Sequence, residues 1–442
     1  MASERNILLI SFDDAVAFWK YKRIFGAALS TPNLDRICDQ STSFHAAYTQ
    51  APVCNPSRAS FMSGLSPAQS GITMPKKEVF DCILPRDFIP AHLKDHGYFS
   101  SSGGKGVGGY LPLDPDWHAQ LYSDERKKFR KDWKVPPDIS RAYGGFRGGK
   151  AIINPERDRR LYDFQATNSA ISFLDDYAGD QPFFREVGYY SPHGPWITPA
   201  RFKEMYDTRG FEKPRAWADG FPEAPHFDAE FTRNFNADGP LENWQKSVRN
   251  YFSAVSHVDH HLGRLWDALK ASPHADSTVV IITSDHGHHL GDHHRFRKHT
   301  LFEQACNVPL IIHDPALPVP QVVTDPVALV DIVPTILDYA GLAPMPGRVG
   351  RSLRDLMALG RAPDRAVPTF LRGNSAIRKG RYRFIHYEDG HTQLFDLAQD
   401  WWQTRDLGPD HPAYGDMADA HRETCLAYGH DPARVAPVAE AV

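Results

Sequence analysis

Two apolar runs in this chain each end in acidic residues, a placement suited to holding a cation. Asn6-Ile7-Leu8-Leu9-Ile10-Ser11-Phe12 leads into Asp13-Asp14, and Ser277-Thr278-Val279-Val280-Ile281-Ile282-Thr283 leads through Ser284 into Asp285-His286. Neighbouring residues on a regular strand point to opposite faces. Where the backbone turns at a strand end, however, both Asp13 and Asp14 can reach one ion. An isolated Asp-Asp pair is more often a strand-to-loop cap. The second acidic strand end changes that reading, because three carboxylates and a fourth donor on neighbouring strands repel unless a cation lies between them. Oxygen-rich ligation favours Ca²⁺ or Mg²⁺, and the imidazole leaves Mn²⁺ open.

A second group of reactive residues sits in small-residue and proline-rich segments. In Ala51-Pro52-Val53-Cys54-Asn55-Pro56-Ser57-Arg58-Ala59-Ser60, a cysteine stands between prolines at what reads as a helix start. A helix N-terminus favours a bound anion. Arg58 falls in the first turn beside Cys54, where its fixed charge can neutralise a carboxylate. Lys105 lies in the glycine-rich Ser102-Gly103-Gly104-Lys105-Gly106, which suits an anion contact or simple solvation. His193, in Tyr190-Ser191-Pro192-His193-Gly194-Pro195-Trp196, is a turn histidine or a general acid with a near-neutral pKa. Six histidines (286, 288, 289, 293, 294 and 299) could instead form a zinc cluster, although their spacing matches no zinc template.

The elements that must position these residues are those of a layered α/β fold. Near-continuous apolar strands predict a central sheet covered on both faces, with ligands collecting beyond the carboxyl ends of its strands. Val248, Tyr251, Phe252, Val255, Val258, Leu262, Leu265 and Leu269 recur at helical spacing ahead of the second strand. Ile171 and Leu174 mark another helix, before the strand-like Pro182–Val187 run. Residues 103–160 and 207–240 show little periodicity and are expected to be lids or substrate walls. After Gly360-Arg361-Ala362-Pro363, short strand-like runs at 369–372, 375–378, 381–387 and 393–397 and a helix around 411–428 predict a small antiparallel subdomain. The expected division is residues 1–362 and 363–442.

Composition narrows the partners. A net charge of −4 and a pI near 6.6 argue against nucleic acid. No apolar run approaches the roughly 20 residues that span a bilayer. Five scattered cysteines and no signal-like N-terminus predict a cytoplasmic protein.

Cys54-x-Pro56-Ser57-Arg58 resembles the signature of the sulfatase family. Gly104-Lys105, Pro192-His193, Asp285-His286-Gly287 and Lys298-His299-Thr300 resemble further motifs of that family, in its order. The resemblance implies an alkaline-phosphatase-like fold, a large mixed sheet between helices with a small antiparallel C-terminal sheet. It implies that Cys54 is oxidised by a formylglycine-generating enzyme to an aldehyde whose hydrate attacks sulfur. It also implies a metal held by Asp13, Asp14, Cys54, Asp285 and His286, a sulfate clamped by Lys105 and Lys298, and His193 as general acid, with Arg58 counted among the catalytic residues as a neutraliser of a carboxylate or an anchor for the aldehyde diol. The expected activity is hydrolysis of a small-molecule sulfate monoester. Phosphonate or phosphate ester hydrolysis is the alternative on the same scaffold, and a silent anion-binding protein is a third. The chain departs from the pattern after Lys105, where Val107 and Gly108 replace a histidine. Either another histidine such as His118 fills that role, or the nucleophile is oriented differently. Phe18, Trp19, Tyr21, Trp196, Arg295 and Arg297 are expected to wall an amphipathic or partly anionic leaving group.

Overall fold

The computed structural model describes residues 5–74, 78–107, 109–110, 113–125, 127, 129, 139–146, 149–222, 239–360 and 364–433. Gly108, the expected boundary at 362/363, parts of both expected loop walls and the end of the tail lie outside these.

The central sheet has eight strands: β1 (Asn6–Asp13), β2 (Thr42–Tyr48), β3 (Phe99–Gly104), β4 (Phe183–Pro192), β5 (Thr278–Ser284), β6 (Asn307–His313), β7 (Gln321–Val323) and β8 (Val327–Ala328). Their order is β7-β2-β6-β5-β1-β4-β3, with β8 also paired to β2. Only β6 runs against the others. The sheet is therefore mixed, as expected.

Parallel register carries the chemistry to one edge. β1 and β5 pair Ser11 with Thr283 and Phe12 with Ser284, so their acidic ends lie side by side. β4 pairs Pro192 with Asp13, which delivers His193 to the same edge, and β3 pairs Gly104 with Gly188, which delivers Lys105. Both faces are covered. Leu8, Ile10 and Phe12 join the helices α2 (Tyr162–Asp176) and α3 (Leu241–Ala271) in one core cluster. Ile7 and Leu9 join α1 (Cys54–Ser63) and α4 (Ile332–Tyr339) in another. Each fully buried aliphatic or aromatic side chain contributes about 1.5–3 kcal/mol, which keeps the strand ends in register.

A four-stranded antiparallel sheet follows, of β9 (Ala366–Leu371), β10 (Asn374–Lys379), β11 (Tyr382–His386) and β12 (Thr392–Asp396). Its apolar face is covered by α5 (Tyr414–Ala427) through Met417. It is tied to the larger layer by Phe370 N–H to Gln50 O (2.9 Å) and Arg383 Nε–H to Leu301 O (2.6 Å). The stretch expected to be irregular, 103–160, holds a helix at Pro115–Leu121 and strands at Ser140–Ala142 and Lys150–Ile152. These elements are too short for their periodicity to register in the sequence.

One close approach sets the height of Lys105. Its N–H donates to Gly188 O at 2.9 Å, and a Cβ on Gly188 would lie 1.8 Å from Lys105 O. Gly188→Ala is therefore expected to cost about 1–3 kcal/mol through overpacking and to displace Lys105. Thermal melting and turnover should fall together. A variant with wild-type melting and wild-type turnover would show that this approach does not position the lysine.

Candidate active site

The strand ends bring Asp13, Asp14 and Asp285 together, none more than 3 % exposed. Three buried carboxylates require compensation, and Lys105, Arg58 and Lys298 supply most of it, with His286 beside them. Lys105 Nζ lies 2.6 Å from Asp13 Oδ2 and 3.2 Å from Asp285 Oδ2. Arg58 Nε lies 3.0 Å from Asp285 Oδ2, and its remaining donors reach Ser11 Oγ, Lys105 O and Phe12 O. Lys298 Nζ lies 2.5 Å from Asp14 Oδ1. Burial opposes ionisation of Asp285 and Asp14, but neighbouring cations outweigh it. His286, Lys105 and Arg58 hold Asp285, and Lys298 holds Asp14, well below the usual carboxylate range.

Cys54 opens α1 and points into this cluster. Its Sγ is 3.3 Å from His286 Nε2, 3.4 Å from Lys298 Nζ and 3.7 Å from Asp13 Oδ1. Burial alone would raise the thiol; Lys105 and Lys298 more than reverse that and lower it. Burial likewise disfavours a charged His286, yet Asp285 lifts it to about 9. Donor atoms of Asp13, Cys54, Asp285 and His286 all lie within 4.8 Å of one another, and those of Asp13, Asp14 and His193 form a second, overlapping group.

His193 closes the far side, with Nε2 4.0 Å from Asp14 Oδ2 and its side chain 21 % exposed. Burial holds it below the usual histidine value, against the pull of Asp13 and Asp14. Its loop is held from two directions. Asp163, in the first turn of α2, accepts the N–H of Tyr190 at 2.6 Å and of Ser191 at 3.2 Å. Trp196 Nε1–H donates to Pro192 O at 2.7 Å. Beside His193 lies a cavity of about 140 Å³ lined by Asp14, Lys298, Trp196, Phe146, His288 and Arg297, among others.

All nine residues expected from the sequence thus converge on one edge of the sheet. Several secondary expectations do not hold. Phe18 and Tyr21 are buried in the core rather than facing the cavity, and Trp19 stacks on His45 with centroids 4.3 Å apart. They follow Asp13 and Asp14 closely in sequence, but the chain turns them inward. Arg295 donates to His293 O and does not line the cavity. His118, on the helix Pro115–Leu121, bonds Asp124 O, so it does not replace the histidine missing after Lys105. Tyr110 instead places its ring 4.7 Å from Lys105 Nζ and 6.0 Å from the His193 ring. The histidine crowd disperses: His289 bonds Asp292 and Thr300, and His293 stacks on Phe302. Among the described residues, only His286 of the six joins a multi-donor group. The sequence reading missed Asp163, Tyr110, His288 and Phe146. Asp163 alone carries a local signal, an acid in a helix's first turn, and that signal says nothing of the loop it grips.

Comparison with known proteins agrees with this geometry. The Sulfatase family matches residues 5–342. A sulfatase of Formosa agariphila is 30 % identical over 426 residues, covering 89 % of this chain and 81 % of the relative. The choline-sulfatase of Rhizobium meliloti is 27 % identical over 436 residues, covering 89 % and 82 %. Among solved structures, BT4656 in complex with its substrate D-glucosamine-2-N,6-O-disulfate superposes with a TM-score of 0.72 at 19 % identity, covering 96 % of this chain and 98 % of that one. The phosphonate monoester hydrolase of Agrobacterium radiobacter gives 0.72 at 21 %, covering 96 % and 95 %. The two superpositions describe the fold, which is alkaline-phosphatase-like. The family match, spanning all nine converging residues, places the chain in the sulfatase family as a sulfuric ester hydrolase.

Proposed function

We propose that the chain cleaves the sulfate monoester of a small alcohol, with Cys54 matured to formylglycine and a divalent ion at the strand ends. The observation that carries this reading is the setting of Cys54 Sγ, at a helix start and within 3.4 Å of both His286 and Lys298. The thiol atom stands in for the oxygens of the mature group. Those surroundings fit a hydrate, since Lys298 and His286 can donate to one hydroxyl while Asp13 accepts from another. When formed, the hydrate supplies a hydroxyl to attack sulfur and a second one whose deprotonation expels sulfate.

The donor set also fits an ion. Asp13, Asp14, Asp285 and His286, with the residue at 54, would hold it, and their oxygen-rich chemistry suits Ca²⁺, with Mg²⁺ or Mn²⁺ as alternatives. An ion there supplies Lewis-acid stabilisation of charge developing on sulfate. The charge balance supports this reading. Arg58, Lys105 and Lys298 offset the three carboxylates, and His286, lifted to about 9, is a fourth positive group unless it gives up its proton to ligate, so an ion would leave the site cationic and ready for an anionic ester. Lys298 and Lys105 then orient the sulfate. Arg58 touches only Asp285, Ser11 and backbone carbonyls, which makes it a positioning residue. His193, partly open and facing Asp14, is placed to act as general acid: in its protonated form it would give a proton to the leaving oxygen and return to the neutral imidazole. A phosphate monoester dianion wants more cationic contact than a sulfate monoanion. With both lysines engaged by carboxylates, the balance favours sulfate over a phosphate monoester; a phosphonate monoester, also a monoanion, is separated only by the substrate comparison below.

Four outcomes are expected. Enzyme matured by a formylglycine-generating enzyme should lose about 18 Da at position 54 and turn over sulfate esters faster than matched phosphate or phosphonate esters. Cys54→Ala should lose activity at least about a thousandfold. An unmodified, inactive wild type would favour a silent anion-binding protein. His193→Ala should cost about 10²–10⁴ in kcat on alkyl sulfates and far less on 4-nitrophenyl sulfate; an equal loss on both would remove His193 as the acid. Asp163→Asn should lower kcat about tenfold through loss of loop hydrogen bonds, with little change in KM, and wild-type kcat in this variant would show that Asp163 does not hold the loop.

A further inference from the structure

A general acid works only if its acidic atom faces the leaving group, and an imidazole can face two ways. A half-turn about the Cβ–Cγ bond exchanges each ring nitrogen with a carbon, so the partners of the nitrogens decide which atom His193 presents. Both nitrogens have a neighbour. Nε2 lies 4.0 Å from Asp14 Oδ2, beside the cavity that both residues line. Nδ1 lies 3.4 Å from Tyr190 Oη, a long hydrogen bond of the kind that tightens when a catalytic site fills.

The backbone builds this pairing. His193 N–H donates to Tyr190 O at 3.0 Å, closing a turn that sets the two rings side by side with centroids 5.4 Å apart. The start of α2 then holds Tyr190 by two means. Asp163 accepts its N–H, and the ring of Tyr162 packs against its ring at 6.3 Å. Tyr110 packs on the same ring at 5.2 Å, with its own ring 4.7 Å from Lys105 Nζ. Three tyrosines thus join Lys105 to His193 in one packed group. A phenylalanine at position 190 would fill nearly the same volume, but it could not hold Nδ1.

We infer, on the sulfatase reading given above and with His193 as its acid, that Tyr190 is a positioning residue whose hydroxyl accepts the Nδ1–H of His193 and so turns Nε2 toward the leaving oxygen. The hydrogen bond made by one ring nitrogen sets the role of the other. With Nδ1–H retained by Tyr190, the proton that moves is the one on Nε2. As the S–O bond breaks, the alcohol oxygen keeps the bonding electron pair and takes that proton, and the ring is left in its neutral Nδ1–H form. A phenol oxygen orients the ring without adding a negative charge to a site that already holds three carboxylates.

The test compares Tyr190→Phe with wild type, as full-length, aldehyde-bearing enzyme, on a primary alkyl sulfate and on 4-nitrophenyl sulfate. On the alkyl ester kcat should fall about tenfold, with KM changed less than about twofold. On 4-nitrophenyl sulfate, whose leaving group needs little help from a proton, the loss should stay below about threefold. In a His193→Ala background, adding Tyr190→Phe should change alkyl sulfate turnover by less than about threefold, because the group it aims is gone. A loss no larger on the alkyl ester than on 4-nitrophenyl sulfate overturns the inference, as does a larger further loss in the His193→Ala background. Wild type that carries the aldehyde by mass yet turns over neither ester overturns the sulfatase reading itself, and the inference with it. If Tyr190→Phe does not fold, nitrogen-15 NMR of histidine-labelled wild type, assigned by difference from His193→Ala, still decides: the neutral Nδ1–H tautomer at His193 supports the inference and the Nε2–H tautomer overturns it.

Discussion

Everything at the reactive edge of this protein follows from the need to keep three carboxylates charged in a buried place. Asp13, Asp14 and Asp285 stand at the ends of two adjacent parallel strands, where water cannot solvate them. Removing one partner of such a buried pair leaves an uncompensated charge worth about 3–5 kcal/mol. The three compensating cations arrive from three different parts of the chain: Arg58 from α1, Lys105 from the end of β3, and Lys298 from the loop between β5 and β6. The cluster therefore joins the folding of distant segments to the assembly of the site.

The parts of the fold that look peripheral serve the same end. Asp163 and Trp196 grip the loop before and after His193, so the imidazole meets Asp14 from a fixed direction. Arg383 of the small sheet reaches across to Leu301 O and lies 3.7 Å from Glu303 Oε2, bracing the segment just after Lys298. Backbone contact between Gly188 and Lys105 sets the depth of that lysine. Rigid strands supply the heights of the reactive groups, and long-range hydrogen bonds supply their orientations. Among the described residues no helix is long and apolar enough to cross a membrane, and every cysteine is a free thiol. Packing, without cross-links, holds these positions.

The fold class, the antiparallel C-terminal sheet and the nine residues that converge at the sheet edge were legible in the amino-acid order. Each is announced by neighbours in the chain: apolar runs ending in acids, a cysteine between prolines before an arginine, a lysine among glycines. What was not legible depends on partners far away. Trp19 follows Asp14 by five residues, yet its ring turns to His45. His118 lies thirteen residues after Lys105, yet belongs to another helix. Asp163 is an ordinary first-turn acid until β4 comes beside it. Local sequence determined which charged and reactive groups lie at the strand and helix ends, because reactivity and strand or helix preference reside in the residues themselves. Tertiary structure alone decided which side chains line the cavity and what holds the His193 loop in place, because side-chain direction is set by packing between segments that meet only once the chain has folded.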